Sequence, residues 1–232
     1  MINRFYLEEI PVDLGSRVEV RDLVCRWLTA GEKSRQVVTL NAAIFMNAVA
    51  NPRFKQLIQK ADLVTVDGYG ILLALKKRGL QTERFPGVEL AEQLLDYSIQ
   101  KRFPVYVYGG TAATIRRLQA KFAGYDFIAM RDGFGGNSRL VAAEIIESQP
   151  KLLLVGLGSP RQEYFLAGVL SQLKNTVGIG VGGSPAIIAG CKKRGPALLI
   201  NHGWEWLYRM LREPRKLKLL PVLIEFWRSF LK

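Results

Sequence analysis

The chain has 232 residues, 49% of them hydrophobic and 23% charged, with 22 glycines and 10 prolines. That suffices for one sizeable domain, or a domain with a short appendage, and it excludes a disordered tail, a collagen-like repeat and a disulfide scaffold. The net charge is +13, and it is uneven: residues 192–232 carry ten Lys or Arg against three Glu.

A basic end of this kind points to phosphates, whether of nucleic acid, nucleotides or anionic lipid, and does not choose among them. Cys25 and Cys191 fit no zinc or redox spacing, so a reducing compartment is the simpler expectation. The opening MINRFYLEEIPVDL is polar where a secretory signal needs an apolar run. No stretch reaches the roughly 20 apolar residues of a membrane-spanning helix. A soluble or peripheral protein is expected.

In chain order, the first thirty residues predict a strand or hairpin (RFYLEEIPV) and a helix at 16–30. Short apolar runs at 35–40, 63–67, 104–108, 126–130, 151–157 and 176–181 read as buried strands. Helical-period segments separate or follow them at 41–50, 69–78, 87–100, 111–122, 138–148 and 159–173. Strand then helix, repeated without hairpin signals, predicts an α/β fold with a parallel sheet covered on both faces. After Gly190 the character changes. Pro196 is expected to open a helix to about Leu211, Glu213-Pro214 to break it, and a last segment to run to Lys232. In that segment Leu220, Leu223, Ile224, Trp227, Phe230 and Leu231 recur at three-to-four spacing. Such a stripe either packs on the chain's own domain or lies on a membrane, where each basic residue near an anionic leaflet adds ~1 kcal/mol.

Ligands of open parallel sheets bind beyond the carboxyl ends of the strands. The polar residues there are Thr39 and Asn41; Asp67-Gly68-Tyr69-Gly70; Gly109-Gly110-Thr111; Arg131-Asp132-Gly133; Gly156 to Glu163; and Gly180 to Ser184. Asp67 closes an apolar strand and is placed either to act as a general base or to cap a helix. Gly178, Gly180 and Gly183 match G-x-G-x-x-G formally, but no following strand ends in the acid a dinucleotide site needs. Gly156-Leu157-Gly158-Ser159 is a better phosphate cradle, or else a tight strand–helix turn. His202 is the only histidine, the acids form no D-x-D, and no metal site or cofactor is expected. A phosphorylated leaving group would then fall to arginines and lysines, with Arg84, Arg161, Lys192, Lys193, Arg194, Arg209 and Lys216 as candidates.

Several motifs occur together in order: Thr39-x-Asn41, Asp67-Gly68-x-Gly70, Glu83-Arg84-x-x-Gly87 and Gly158-x-Pro160-x-Gln162-Glu163. They continue with Ala189-Gly190, Arg194-x-Pro196, Glu205-Trp206-x-Tyr208-Arg209 and Glu213-Pro214. This set resembles the WecG/TagA/CpsF glycosyltransferase family from about residue 10 to 218. The resemblance implies a Rossmann-like core at 1–195, a basic helical appendage at 196–232, and a place at the cytoplasmic membrane face. It implies an inverting, metal-independent transfer of an N-acetylmannosamine-like hexose from a UDP-sugar to a polyprenyl-diphosphate-linked sugar, in cell-surface polysaccharide synthesis. By the same resemblance Asp67 is the general base, and Thr39 and Asn41 line the sugar site. Arg84, Gln162, Arg209 and Lys216 fall on substrate-binding positions, and Gly109, Gly158 and Glu163 join them by their place just past the strand ends. The expected partners are the two substrates, an anionic membrane surface and a second copy of the chain, with no nucleic acid. Two departures stand out. Pro185-Ala186 replaces a usual Phe-Asp, and Lys216 and Leu219 stand at arginine positions. Lysine keeps the charge but not the bidentate fork. A catalytically inactive membrane-associated subunit and a nucleotide or nucleic-acid binding module are the alternatives.

Overall fold

A computed structural model of the chain describes residues 2–196, 199, 208, 217, 218 and 220–230. Strands β1 (Asn3–Leu7) and β2 (Ile10–Leu14) form an antiparallel hairpin, and α1 (Arg17–Ala30) follows. Ser16 and Glu19 close a reciprocal capping box at the start of α1, which fixes where the helix begins. The main sheet is built from β3 (Arg35–Leu40), β4 (Leu63–Val66), β5 (Val105–Gly109), β6 (Ile128–Arg131), β7 (Leu152–Gly156) and β8 (Val177–Gly180). Its order is β4-β3-β8-β7-β5-β6, and every pairing is parallel.

Between the strands run α2 (Ala42–Ala50), α3 (Pro52–Gln59), α4 (Tyr69–Lys76), α5 (Gly87–Lys101), α6 (Ala112–Lys121), α7 (Ser138–Ser148), α8 (Arg161–Leu170) and α9 (Ser184–Ile188). A last helix, α10, spans Leu220–Phe230. The strands and helices predicted between residues 3 and 173 are therefore present, with ends moved by at most three residues. Two short helices were not anticipated. In α3 the signals are local, an Asn51 cap and Pro52 at the first position, but eight residues hold only two buried side chains, Phe54 and Ile58. The five residues of α9 are too few for any period to show.

Successive strand residues face opposite sides of the sheet. Val37, Leu63, Val107, Leu154 and Ile179 pack on α1, α5, α6 and α9. Val38, Leu40, Val64 and Val66 meet β1, β2, α2, α3, α4 and α10, while Tyr106, Tyr108, Leu153 and Val155 meet α7 and α8. The glycines of β8 belong to this second face. A Cβ on Gly178 would lie 2.7 Å from Leu166, and one on Gly180 2.6 Å from Gln162. Their spacing thus records the close approach of α8 to β8, which accounts for the G-x-G-x-x-G match without a dinucleotide.

Helix α10 has two apolar faces where the sequence suggests one stripe. Phe226 is fully buried, edge-on to Phe45 of α2 and stacked on Phe230, with Val222 and Leu223 partly covered. Leu220, Ile224 and Trp227 point away and are exposed. The i, i+4, i+8 series 222, 226 and 230 is the face that docks. The predicted helix from Pro196 to about Leu211, and with it His202, lies outside the described residues apart from isolated positions.

Emptying the docking face tests this packing. Phe226→Ala is expected to lower the unfolding free energy by about 3 kcal/mol, read as a shifted urea midpoint. An unchanged midpoint would show that α10 does not share the core.

Candidate active site

Adjacent strands β3 and β8 send the chain to opposite faces of the sheet, β3 into α2 and β8 into α9. Such a divergence opens a crevice at the carboxyl ends of the strands. Across its floor the Thr39 hydroxyl donates to the Gly180 carbonyl at 2.9 Å. Thr39 is buried. Two residues on, Asn41 caps α2, its Oδ1 accepting from the amides of Ala43 and Ile44 at 3.1 Å each.

Asp67 follows β4 directly. The Leu40 carbonyl accepts from the amides of both Asp67 and Gly68 at 3.0 Å, so the ends of β3 and β4 turn together. Gly68 has no room for a side chain, since a Cβ there would lie 2.8 Å from the Asn41 Cα. The Asp67 carboxylate accepts from the Gly87 amide through Oδ1, at 2.7 Å. It therefore caps the first turn of α5, twenty residues away, and not the helix that immediately follows it. The Gly68 end of α4 has no side-chain cap at all. Gly87 is itself constrained, because a Cβ would come within 3.0 Å of Thr39 Cγ2. Thr39, Asn41, Asp67, Gly87 and Gly180 thus form one contiguous group from four elements.

Residues 79–86 cross from α4 to α5 as a strap over the end of β4. The Phe85 amide donates to the Val66 carbonyl at 2.8 Å, and its ring is buried. Arg84 lies on this strap, three residues before Gly87 and partly exposed.

The other half of the rim is backbone packed on backbone. Gly109, at φ +138, has no space for a Cβ, which would lie 2.5 Å from the Gly156 carbonyl group; a Cβ on Gly156 would lie 2.6 Å from the Gly182 oxygen. Pro185, at the position of the expected Phe, packs against both Gly110 and Gly156. Gly158, at φ +78, faces open space. Gln162 and Glu163 lie beneath this rim, 2% and 1% exposed. Gln162 accepts from the Gly182 amide at 2.9 Å and donates to Glu163 Oε1 at 2.7 Å, tying the loop after β7 to the loop after β8. Gln36 of β3 donates to the Glu163 backbone carbonyl at 3.2 Å.

The structure therefore groups Thr39, Asn41 and Asp67 beside the Arg84 strap, with Gly109 and Gly158 on the opposite loops and Gln162 and Glu163 below. Arg209 and Lys216 lie outside the described residues. The Gly87 amide and the Gly180 carbonyl, which hold Asp67 and Thr39, are backbone groups that no residue type announces. Among the described residues no three of His, Cys, Asp and Glu gather into a metal-binding group. No helix there is long and apolar enough to cross a membrane.

The fold and rim define a parallel, Rossmann-like α/β protein with its polar residues collected at the carboxyl ends of the strands. The chain belongs to the WecG/TagA/CpsF family of glycosyl transferases, whose family model matches residues 5–232. It is similar to an N-acetylglucosaminyldiphosphoundecaprenol N-acetyl-beta-D-mannosaminyltransferase of Bacillus spizizenii, with 34% identity over 189 residues, covering 79% of this chain and 74% of that one.

Burial pushes the Glu163 carboxyl above the usual carboxylate range, against the opposing pull of its bonds with Gln162 and Ser159. A carboxyl whose pKa is higher folded than unfolded stabilises the fold at low pH, and that contribution is lost as pH rises through the folded value. The stability of the wild type relative to Glu163→Gln is therefore expected to fall as pH rises above about 4. Urea denaturation across pH reads this, and a pH-independent difference would contradict it.

Proposed function

We propose that the protein is an inverting glycosyltransferase that moves an N-acetylmannosamine-like hexose from a UDP-sugar to a sugar carried on a polyprenyl diphosphate. Family membership supports the reaction class. The name of the Bacillus relative supports the acceptor and the sugar. The observation that carries the mechanism is the Asp67 carboxylate, held through Oδ1 by the Gly87 amide at the mouth of the crevice.

In this reading Asp67 uses its second oxygen as general base. The acceptor hydroxyl oxygen forms a bond to the anomeric carbon while the bond from that carbon to the β-phosphate oxygen breaks. The electron pair leaves with UDP, and the hydroxyl proton passes to the carboxylate. Arg84 on the strap and the cations of the C-terminal segment, Arg209 and Lys216 among them, offset the charge growing on the diphosphate. Thr39 and Asn41 shape the sugar pocket. Gly158, which faces open space, lets backbone approach the nucleotide, and Gly109 seats Gly156 behind it. Gln162 and Glu163 act from beneath, holding the two loops that face it.

Residues 1–195 form the catalytic domain in this reading, and 196–232 a basic appendage that meets the membrane. The exposed face of α10, with Leu220, Ile224 and Trp227 beside Arg228, suits an anionic lipid surface and brings the site to an acceptor anchored there. In this reading the protein is peripheral, at the inner face of the membrane.

Incubation with a prenyl-diphosphate-GlcNAc acceptor and a panel of UDP-sugars, reading acceptor-dependent UDP release, tests the reaction. Asp67→Asn is expected to lower turnover by about 10²–10⁴ while the fold survives. Full activity in a folded Asp67→Asn protein would remove the base from Asp67, and silence with every donor would favour an inactive subunit.

A further inference from the structure

Arg17 is the first residue of α1, where a cation opposes the helix macrodipole. Nothing in α1 itself calls for it. Its bonds run elsewhere. The Arg17 backbone amide donates to Glu83 Oε2 at 2.9 Å, its Nε to the Arg84 carbonyl at 2.8 Å, and its Nη1 to Glu89 Oε2 at 2.8 Å. Glu83 and Arg84 are the strap, and Glu89 is in the first turn of α5, two residues beyond the Gly87 amide that holds Asp67.

The same strap is fastened by neighbours of Arg17. The Thr82 hydroxyl lies 3.1 Å from both the amide and the carbonyl of Gly15, and the Glu83 amide donates to the Gly15 carbonyl at 3.2 Å. The other oxygen of Glu89 accepts from Arg194 Nη1 at 2.9 Å. Arg17 and Glu89 therefore join three things: the strap bearing Arg84, the start of α5, and the root of the C-terminal segment. Within the strap the Arg17 guanidinium spans both ends of the turn into α5, a reach that only its fork of donors provides.

We propose that Arg17 is a positioning residue for Arg84, setting the strap against the Asp67–Gly87 contact so that Arg84 faces the substrate. This rests on the reading of Arg84 as a substrate-facing residue. Arg17 itself is half exposed on the outer side of the strap and touches no reacting atom.

Two readouts on the full chain decide it. Hydrogen exchange measured by mass spectrometry should show amides of 80–87 exchanging about tenfold faster in Arg17→Lys, with β5 and β7 unchanged. In the transfer assay Arg17→Lys should lower kcat about tenfold, yet cost nothing further when added to Arg84→Ala, because the two act as one unit. Arg17→Ala, which removes every side-chain donor, serves if lysine still reaches the Arg84 carbonyl. Unchanged strap exchange in both folded variants overturns the proposal, and so do losses that simply add. Full activity in Arg84→Ala would instead overturn the reading of Arg84. If the wild type transfers no sugar, the reaction assigned above fails, and the exchange result alone decides whether Arg17 sets the strap.

Discussion

The hydrogen bond from the Gly87 amide to Asp67 joins the end of β4 to the start of α5, and the geometry of the site depends on it. It uses one carboxylate oxygen and leaves the direction of the other set by the same bond. At 2.7 Å it seats the start of α5 against the end of β4, where Gly87 also lies so close to β3 that a Cβ would come 3.0 Å from Thr39 Cγ2. Thr39 in turn is anchored to β8 through the Gly180 carbonyl. A carboxylate at a helix N-terminus is stabilised by the unpaired amides there, typically by 0.3–1 kcal/mol. One contact thus serves both the fold and the proposed chemistry.

The two halves of the rim are built differently. Beyond β5, β7 and β8, glycine backbones pack directly on one another, and Gln162 and Glu163 are buried beneath them. Beyond β3 and β4 the chain crosses as a strap whose side chains are partly exposed, pinned by Arg17 on one side and by the Val66 carbonyl on the other. The site thus joins a half closed by packed glycine backbone to a half closed by a hydrogen-bonded strap.

Most of the sheet was legible because parallel strands buried on both faces write themselves as continuous apolar runs. The glycines of β8 were visible but ambiguous: only the packing of Leu166 and Gln162 shows that they mark a close helix–strand approach. Helix α10 carries apolar residues on two faces, and the predicted stripe mixes them, taking Leu223 and Phe230 from the docked face and Leu220, Ile224 and Trp227 from the exposed one while leaving out Phe226, the residue buried deepest. At the site, Asp67, Thr39 and Asn41 stood out by their place after strands. What sequence could not give was the partner of each. Asp67 caps a helix twenty residues distant, and Gln162 and Glu163, polar residues in the first turn of α8, are buried and bridge to the loop after β8. Arg17 was silent for the same reason, since its contacts lie 66 to 72 residues along the chain.

A single displacement with Asp67 as base fixes the stereochemistry of the product, because the acceptor oxygen must enter opposite the departing phosphate. The most direct measurement is therefore the anomeric configuration of the transferred sugar, read by NMR on the product made from an α-linked UDP-sugar. Inversion to the β-linkage is expected. Retention of the α-linkage would contradict direct attack aided by a base and would require a different arrangement of the site.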